Sequence, residues 1–145
     1  MATFISKSAE ETVGLGERWG RQAATGWVIG LTGELGAGKT QLVKGIARGL
    51  GVAERVHSPT FTLVNQYHGG RLLLFHLDLY RLETRGQIIG AGLEEWLTRP
   101  EGVAVVEWAE RWFDKMPGAV SGLKRVRIQN LSDTERLITY ENFGA

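Results

Sequence analysis

The chain has 145 residues, a formal net charge of +1 from 17 basic and 16 acidic side chains, 43% apolar residues and no cysteine. That length suits one compact domain with a core of its own, and the missing cysteines exclude disulfides, iron–sulfur clusters and thiolate zinc sites. The near-neutral balance lacks the basic excess of chains that wrap nucleic acid by themselves. No apolar stretch approaches the ~18 residues of a membrane span, and Met1–Lys7 lacks the charged lead and long apolar run of a secretion signal. A soluble, cytoplasmic protein with no membrane partner is therefore expected.

The first element is a short strand over Thr3–Ser6. Ser8-Ala9-Glu10-Glu11 has the spacing of a capping box, in which Ser8 caps the first turn and Glu11 reaches back to the backbone N–H of Ser8. Val13, Leu15, Trp19 and Ala23 continue at helical intervals to about Ala24. Gly26–Thr32 is an apolar, β-branched run bounded by glycines, a buried strand. After a glycine-rich loop, Leu42, Val43, Ile46, Ala47 and Leu50 line one face of a helix over Gln41–Leu50, and Gly51 is placed to end it. Pro59 makes His57–Thr60 a turn or loop. Phe61–Tyr67 and Leu72–Leu77, joined by His68-Gly69-Gly70-Arg71, read as a hairpin. Glu83–Leu97 is irregular to helical, Gly102–Trp108 is another buried strand, and Ala109–Lys115 is a helical turn or two. Leu123–Gln129 and Arg136–Glu141 alternate apolar and polar residues around a turn, a second antiparallel hairpin. Parallel-type strands in the middle with antiparallel pairs around them give a mixed α/β sheet in one domain.

Gly33-Glu34-Leu35-Gly36-Ala37-Gly38-Lys39-Thr40 matches G-x-x-x-x-G-K-[ST] at every fixed position. A triphosphate carries several negative charges that must leave water, so donors have to surround it closely. Glycines let the backbone curl with N–H groups inward, where a Cβ would obstruct the phosphates. The following helix presents free N–H groups and a positive dipole end to the same anion. In a chain holding 20 glycines, a chance match is on the order of one in a hundred, and the strand before and helix after make chance rarer still. The expected nucleotide contacts are Gly33, Glu34, Leu35, Gly36, Ala37, Gly38, Lys39 and Thr40, with Gln41 in the first helical turn. Lys39 would bridge the β- and γ-phosphates of ATP, and the Thr40 hydroxyl would ligate Mg²⁺.

Enzymes with this loop place an acid at the end of a neighbouring apolar strand, to hold the metal or orient water. Asp78 ends Leu72–Asp78 and Glu107 ends Val103–Glu107; spacing leaves their two roles open between them. His76 shares a strand face with Asp78, but two ligands are too few for a metal site, so His76 is expected to be a hydrogen-bonded supporting residue. Ser58-Pro59-Thr60 is either a switch sensing the γ-phosphate or a plain turn. Trp108 follows Glu107 directly and is a candidate contact for nucleotide or partner. The nearest approach to a guanine-reading Asn-Lys-x-Asp segment, Asn130-Leu131-Ser132-Asp133, lacks the lysine, which favours adenine.

Gly33–Thr40, Ser58–Val64, His76-Leu77-Asp78-Leu79-Tyr80-Arg81-Leu82 and Val106-Glu107-Trp108 occur in the order seen in the bacterial TsaE (YjeE) family, and Gly92–Trp96 resembles that family's segment between the two acids. The resemblance covers nearly the whole chain. It implies a P-loop NTPase-like three-layer sandwich, with a central parallel sheet flanked by antiparallel strands. It also implies a Mg²⁺-dependent ATPase required for threonylcarbamoyl modification of adenosine beside the anticodon in tRNAs reading codons that begin with A. Such proteins act with the TsaD and TsaB proteins, and so meet tRNA indirectly. Carried over, the resemblance assigns Lys39 to phosphate, Thr40 and Glu107 to Mg²⁺, Asp78 to the second functional acid, Thr60 to the switch-like loop and Trp108 to the tryptophan after the acid. The segment near Ala9–Thr12 matches only loosely as an approach to adenine.

Two other readings share the loop. A small-molecule kinase would close arginines over the phosphates, with Arg81 and Arg85 available. A non-catalytic nucleotide switch would use ATP only to select a conformation.

Overall fold

The computed structural model describes residues 2–33, 38–59, 62–113 and 122–141. Twelve elements follow one another: β1 (Ala2–Ser6), α1 (Ala9–Gln22), β2 (Val28–Gly33), α2 (Lys39–Leu50), β3 (Val64–Tyr67), β4 (Leu74–Asp78), α3 (Arg85–Gly90), α4 (Glu94–Thr98), β5 (Val103–Glu107), α5 (Glu110–Phe113), β6 (Leu123–Asn130) and β7 (Arg136–Tyr140). The seven strands form one sheet in the order β1-β7-β6-β2-β5-β4-β3. β6, β2, β5 and β4 run parallel, while β7 pairs antiparallel with β6, β1 antiparallel with β7, and β3 antiparallel with β4. This is the mixed sheet expected from the strand pattern, in the P-loop NTPase-like arrangement that the family resemblance implies.

Strand residues alternate between two cores because side chains on a strand point to opposite faces. Ile29, Leu31, Leu74, Val103 and Val105 pack with Leu15 and Trp19 of α1 and Leu42, Val43 and Ile46 of α2. Val28, Phe75, Leu77, Ala104 and Val106 pack with Ile88, Leu97, Trp112 and Phe113 on the opposite face. The sheet is thus the middle of three layers.

Four glycines set the spacing of the helical layer. Gly16 and Gly20 of α1 face Gly45 and Gly49 of α2, and a Cβ on any of them would overlap a backbone carbonyl of the other helix: Leu42, Ile46, Val13 and Glu17 respectively. The two backbones therefore touch directly. Arg71, in the β3–β4 connection, ties this layer down by donating from Nη2 to the carbonyls of Gly20 (2.8 Å) and Ala23 (2.9 Å) at the end of α1, where carbonyls lack helical partners.

Most local signals act as expected. Ser8 caps α1 by accepting from the Glu11 N–H at 3.1 Å, but Glu11 reaches past Ser8 and accepts from the Lys7 N–H at 3.0 Å. Gly51 ends α2 in the left-handed conformation. The strand expected over Phe61–Tyr67 begins only at Val64. A turn precedes it, with the Leu63 N–H donating to the Pro59 carbonyl (2.7 Å) and Leu63 at φ 70°, which breaks the extended backbone a strand needs. Phe61 lies outside the described residues, as do Asp114 and Lys115 at the end of the expected helical stretch after β5. Within Glu83–Leu97 two short helices form, the first started by a full capping box between Thr84 and Gln87.

Candidate functional site

Three parallel strands deliver the predicted residues to one end of the sheet. β2 ends at Gly33, whose φ of 139° no other residue type adopts comfortably. A Cβ there would overlap the Ile128 carbonyl of β6, so this glycine is required by strand packing as well as by the loop. Gly38, at φ 88°, turns the chain into α2, and its carbonyl accepts from the Gln41 (3.0 Å) and Leu42 (3.2 Å) N–H groups. The N–H groups of Lys39 and Thr40 have no helical acceptor and, with the helix dipole, form an anion-binding end. Glu34, Leu35, Gly36 and Ala37, the middle of the expected loop, lie outside the described residues, as does Thr60.

Lys39 is buried, and its side chain folds back so that Nζ donates to the Gly33 carbonyl at 3.2 Å and lies 4.9 Å from the centre of the Trp108 ring. Trp108 has φ 59°, a left-handed conformation costing on the order of 1–3 kcal/mol for a bulky residue. It is held there by Ala109, whose N–H donates to the Leu31 carbonyl at 3.3 Å, and by rings and cations around the indole: Tyr80 at 5.1 Å and the Arg111 guanidinium at 5.3 Å. The bend turns the indole over the lysine that begins α2.

Asp78 and Glu107 are the last residues of β4 and β5 and lie opposite one another in the parallel register. Both are buried, at 5% and 8% exposure. They share a sheet face with Leu74, Val103 and Val105, which pack into the core beneath α2, so both carboxylates belong to the layer that carries Lys39. Asp78 Oδ1 accepts from the Tyr80 N–H at 2.9 Å, which shapes the turn after β4. Glu107 Oε2 lies 2.6 Å from Nε2 of the fully buried His76. The sequence placed His76 beside Asp78; the structure joins it to Glu107 instead, because β4 and β5 are neighbours and His76 is diagonal to Glu107.

Hard oxygen donors suit a small divalent cation, and Mg²⁺ characteristically takes only one or two protein ligands, leaving the rest to water and phosphate. Among the described residues no group of three or more His, Cys, Asp or Glu forms a metal cage. A carboxylate at the end of β5 and a hydroxyl, Thr40, in the first turn of α2 fit that sparse pattern.

Beside Gly38 lies a cavity of about 320 Å³ that spacing did not disclose. Its walls come from the start of α1 (Lys7, Ser8, Ala9, Thr12), the start of α2 (Gly38, Gln41) and the β6–β7 turn (Asp133, Thr134, Arg136). The loosely matched Ala9–Thr12 segment therefore shares a cavity with Gly38 and the first turn of α2, and the β6–β7 turn joins it because β6 lies directly against β2. A larger cavity, about 390 Å³, lies on the opposite sheet face between α5 and β6. It contains none of the predicted site residues. Arg85, a candidate lid residue, is committed elsewhere: Nη1 donates to the Trp112 carbonyl and the guanidinium covers the Trp112 ring at 3.8 Å. Among the described residues no helix is long and apolar enough to cross a membrane.

Residues 6–138 match the family described as "Threonylcarbamoyl adenosine biosynthesis protein TsaE". Similar proteins named tRNA threonylcarbamoyladenosine biosynthesis protein TsaE include that of Treponema pallidum, 42% identical over 93% of this chain and 96% of its own. Those of Bacillus subtilis (38%, covering 93% and 82%) and Nostoc sp. (47%, covering 77% and 70%) are further examples. The crystal structure of Bacillus subtilis YdiB superposes with a TM-score of 0.78 at 34% identity, covering 99% of this chain and 86% of that one. By sequence and fold alike, this chain belongs to the TsaE family of tRNA threonylcarbamoyladenosine biosynthesis.

Proposed function

We propose that this protein is a Mg²⁺-dependent ATPase that supports threonylcarbamoyl transfer to tRNA, acting in the cytoplasm with the TsaD–TsaB transferase. The observation that carries this reading is that Gly33, which opens a G-x-x-x-x-G-K-T segment, ends a strand at the same end of the sheet as two buried carboxylates on adjacent parallel strands. Phosphates would sit on the backbone N–H groups at the start of α2, with the Lys39 ammonium exchanging the Gly33 carbonyl and the Trp108 ring for phosphate oxygens. The nucleoside end would extend past Gly38 into the cavity beside Gln41 and Thr12. Thr40 and Glu107 would hold Mg²⁺, which supplies charge neutralisation at the transferred phosphoryl group. Asp78, opposite Glu107, is then the acid available to orient water. Trp108 excludes solvent from Lys39, which strengthens each charge interaction at the phosphates.

A kinase reading loses one of its closing arginines to Trp112. The test is reconstitution of tRNA modification with purified TsaD and TsaB. Multiple-turnover yield should rise when this chain is added with ATP and should not rise with Glu107→Ala, while that variant still binds ATP. Full stimulation by Glu107→Ala would support the non-catalytic switch and remove hydrolysis from the proposal.

A further inference from the structure

The fully buried imidazole of His76 has a single described partner, the carboxylate of Glu107 at 2.6 Å. An apolar side chain would fill this position in the middle of β4 without the desolvation that an imidazole costs, so the ring's polar atoms are informative. An ionised carboxylate only accepts hydrogen bonds, so against ionised Glu107 the ring donates from Nε2. Nδ1 has no hydrogen-bond partner among the described residues. The neighbouring β4 residues Phe75 and Leu77 pack into the opposite core and cannot substitute.

From this geometry we propose that His76 is a positioning residue: it fixes the carboxylate plane of Glu107 by engaging Oε2 and leaves Oε1 for a divalent cation. The proposal rests on the reading of Glu107 as the acid that serves Mg²⁺. The contact with His76 holds Glu107 in one orientation, so less side-chain freedom is lost when it ligates a cation. Partners of metal-ligating groups that act this way change metal affinity by about 10–100-fold when removed.

The probe is Mn²⁺ binding to the ADP complex, followed by electron paramagnetic resonance. His76→Leu should weaken Mn²⁺ by about 10–100-fold, and His76→Gln, whose amide nitrogen reaches a similar distance, should restore it to within about threefold of wild type. ADP affinity in EDTA should be the same in all three, which separates metal positioning from general damage to the site. Unchanged Mn²⁺ affinity in His76→Leu, alongside loss in Glu107→Gln, overturns the proposal and leaves the role of Glu107 standing. Unchanged affinity in Glu107→Gln overturns the role of Glu107 and the proposal with it. Should the leucine variant not fold, the imidazole ¹⁵N–¹H spectrum of the wild-type ADP complex decides. Protonation at Nε2 and a shift of that nitrogen on adding Mg²⁺ support the proposal. A ring protonated on Nδ1 alone, or a signal indifferent to Mg²⁺, overturns it.

Discussion

Replacing Gly45 by alanine tests the direct contact between α1 and α2. In a helix interior the change alone favours folding by about 1 kcal/mol, because alanine restricts the unfolded chain and shields the backbone. At Gly45 the added methyl would overlap the Val13 carbonyl and crowd the Glu17 nitrogen at 2.9 Å. These are backbone atoms in a helix, so no rotamer change relieves them; the helices must separate, loosening Leu15 and Trp19 from Leu42 and Ile46. Overpacking of this kind costs about 3 kcal/mol, the upper part of the usual range, leaving a net loss of about 2 kcal/mol after the helical gain. At about 4 °C per kcal/mol for a domain of this size, Tm should fall by about 8 °C. Gly14, also inside α1, has nothing within 4 Å of an added Cβ, so Gly14→Ala should raise stability by up to about 1 kcal/mol. Urea and thermal unfolding of both variants give the comparison. If Gly45→Ala is as stable as Gly14→Ala, the helices are not in backbone contact and the account of this layer is wrong.

Lys39→Ala removes charge-assisted hydrogen bonds worth ~1.5–3 kcal/mol, so ATP affinity by calorimetry should drop about ten- to a hundredfold; undiminished binding by the folded variant would remove Lys39 from the nucleotide site. Ser8→Ala deletes the bond to the Glu11 N–H and should cost ~1 kcal/mol in urea unfolding, whereas a change below about 0.3 kcal/mol would show that the cap is not limiting.

What the sequence disclosed and what it concealed divide along physical lines. β2, α2 and the glycines that bound the loop, Gly33 and Gly38, were legible because each residue's requirement is local: positive φ at the turns, β-branched residues in a buried strand, apolar positions at helical spacing. Asp78 and Glu107 were legible as acids at strand ends, and His76 as sharing a face with Asp78. That Glu107 sits opposite Asp78 and in hydrogen-bond contact with His76 depends on which strands become neighbours, and nothing within either strand encodes its partner across 31 residues. The glycines of α1 and α2 entered the reading as background against a chance match, since a hydrophobic pattern is silent about positions where the side chain is absent by necessity. The β6–β7 turn was recognised as a turn. Its place beside Gly38 and the start of α2 follows only from β6 pairing with β2.

The same topology bears on how the molecule is assembled. Residues 2–6 pair with residues 136–140, and β2 is flanked by β5 and β6, both from the second half of the chain. During synthesis the leading strand and the loop-bearing strand therefore emerge from the ribosome long before their neighbours exist. Contacts so distant along the chain form slowly, because loop closure precedes any gain from them. Until Leu123 and its followers appear, Ile29 and Leu31 lack a finished sheet beneath α1 and α2, and nascent chains in that interval are the ones a holding chaperone would meet.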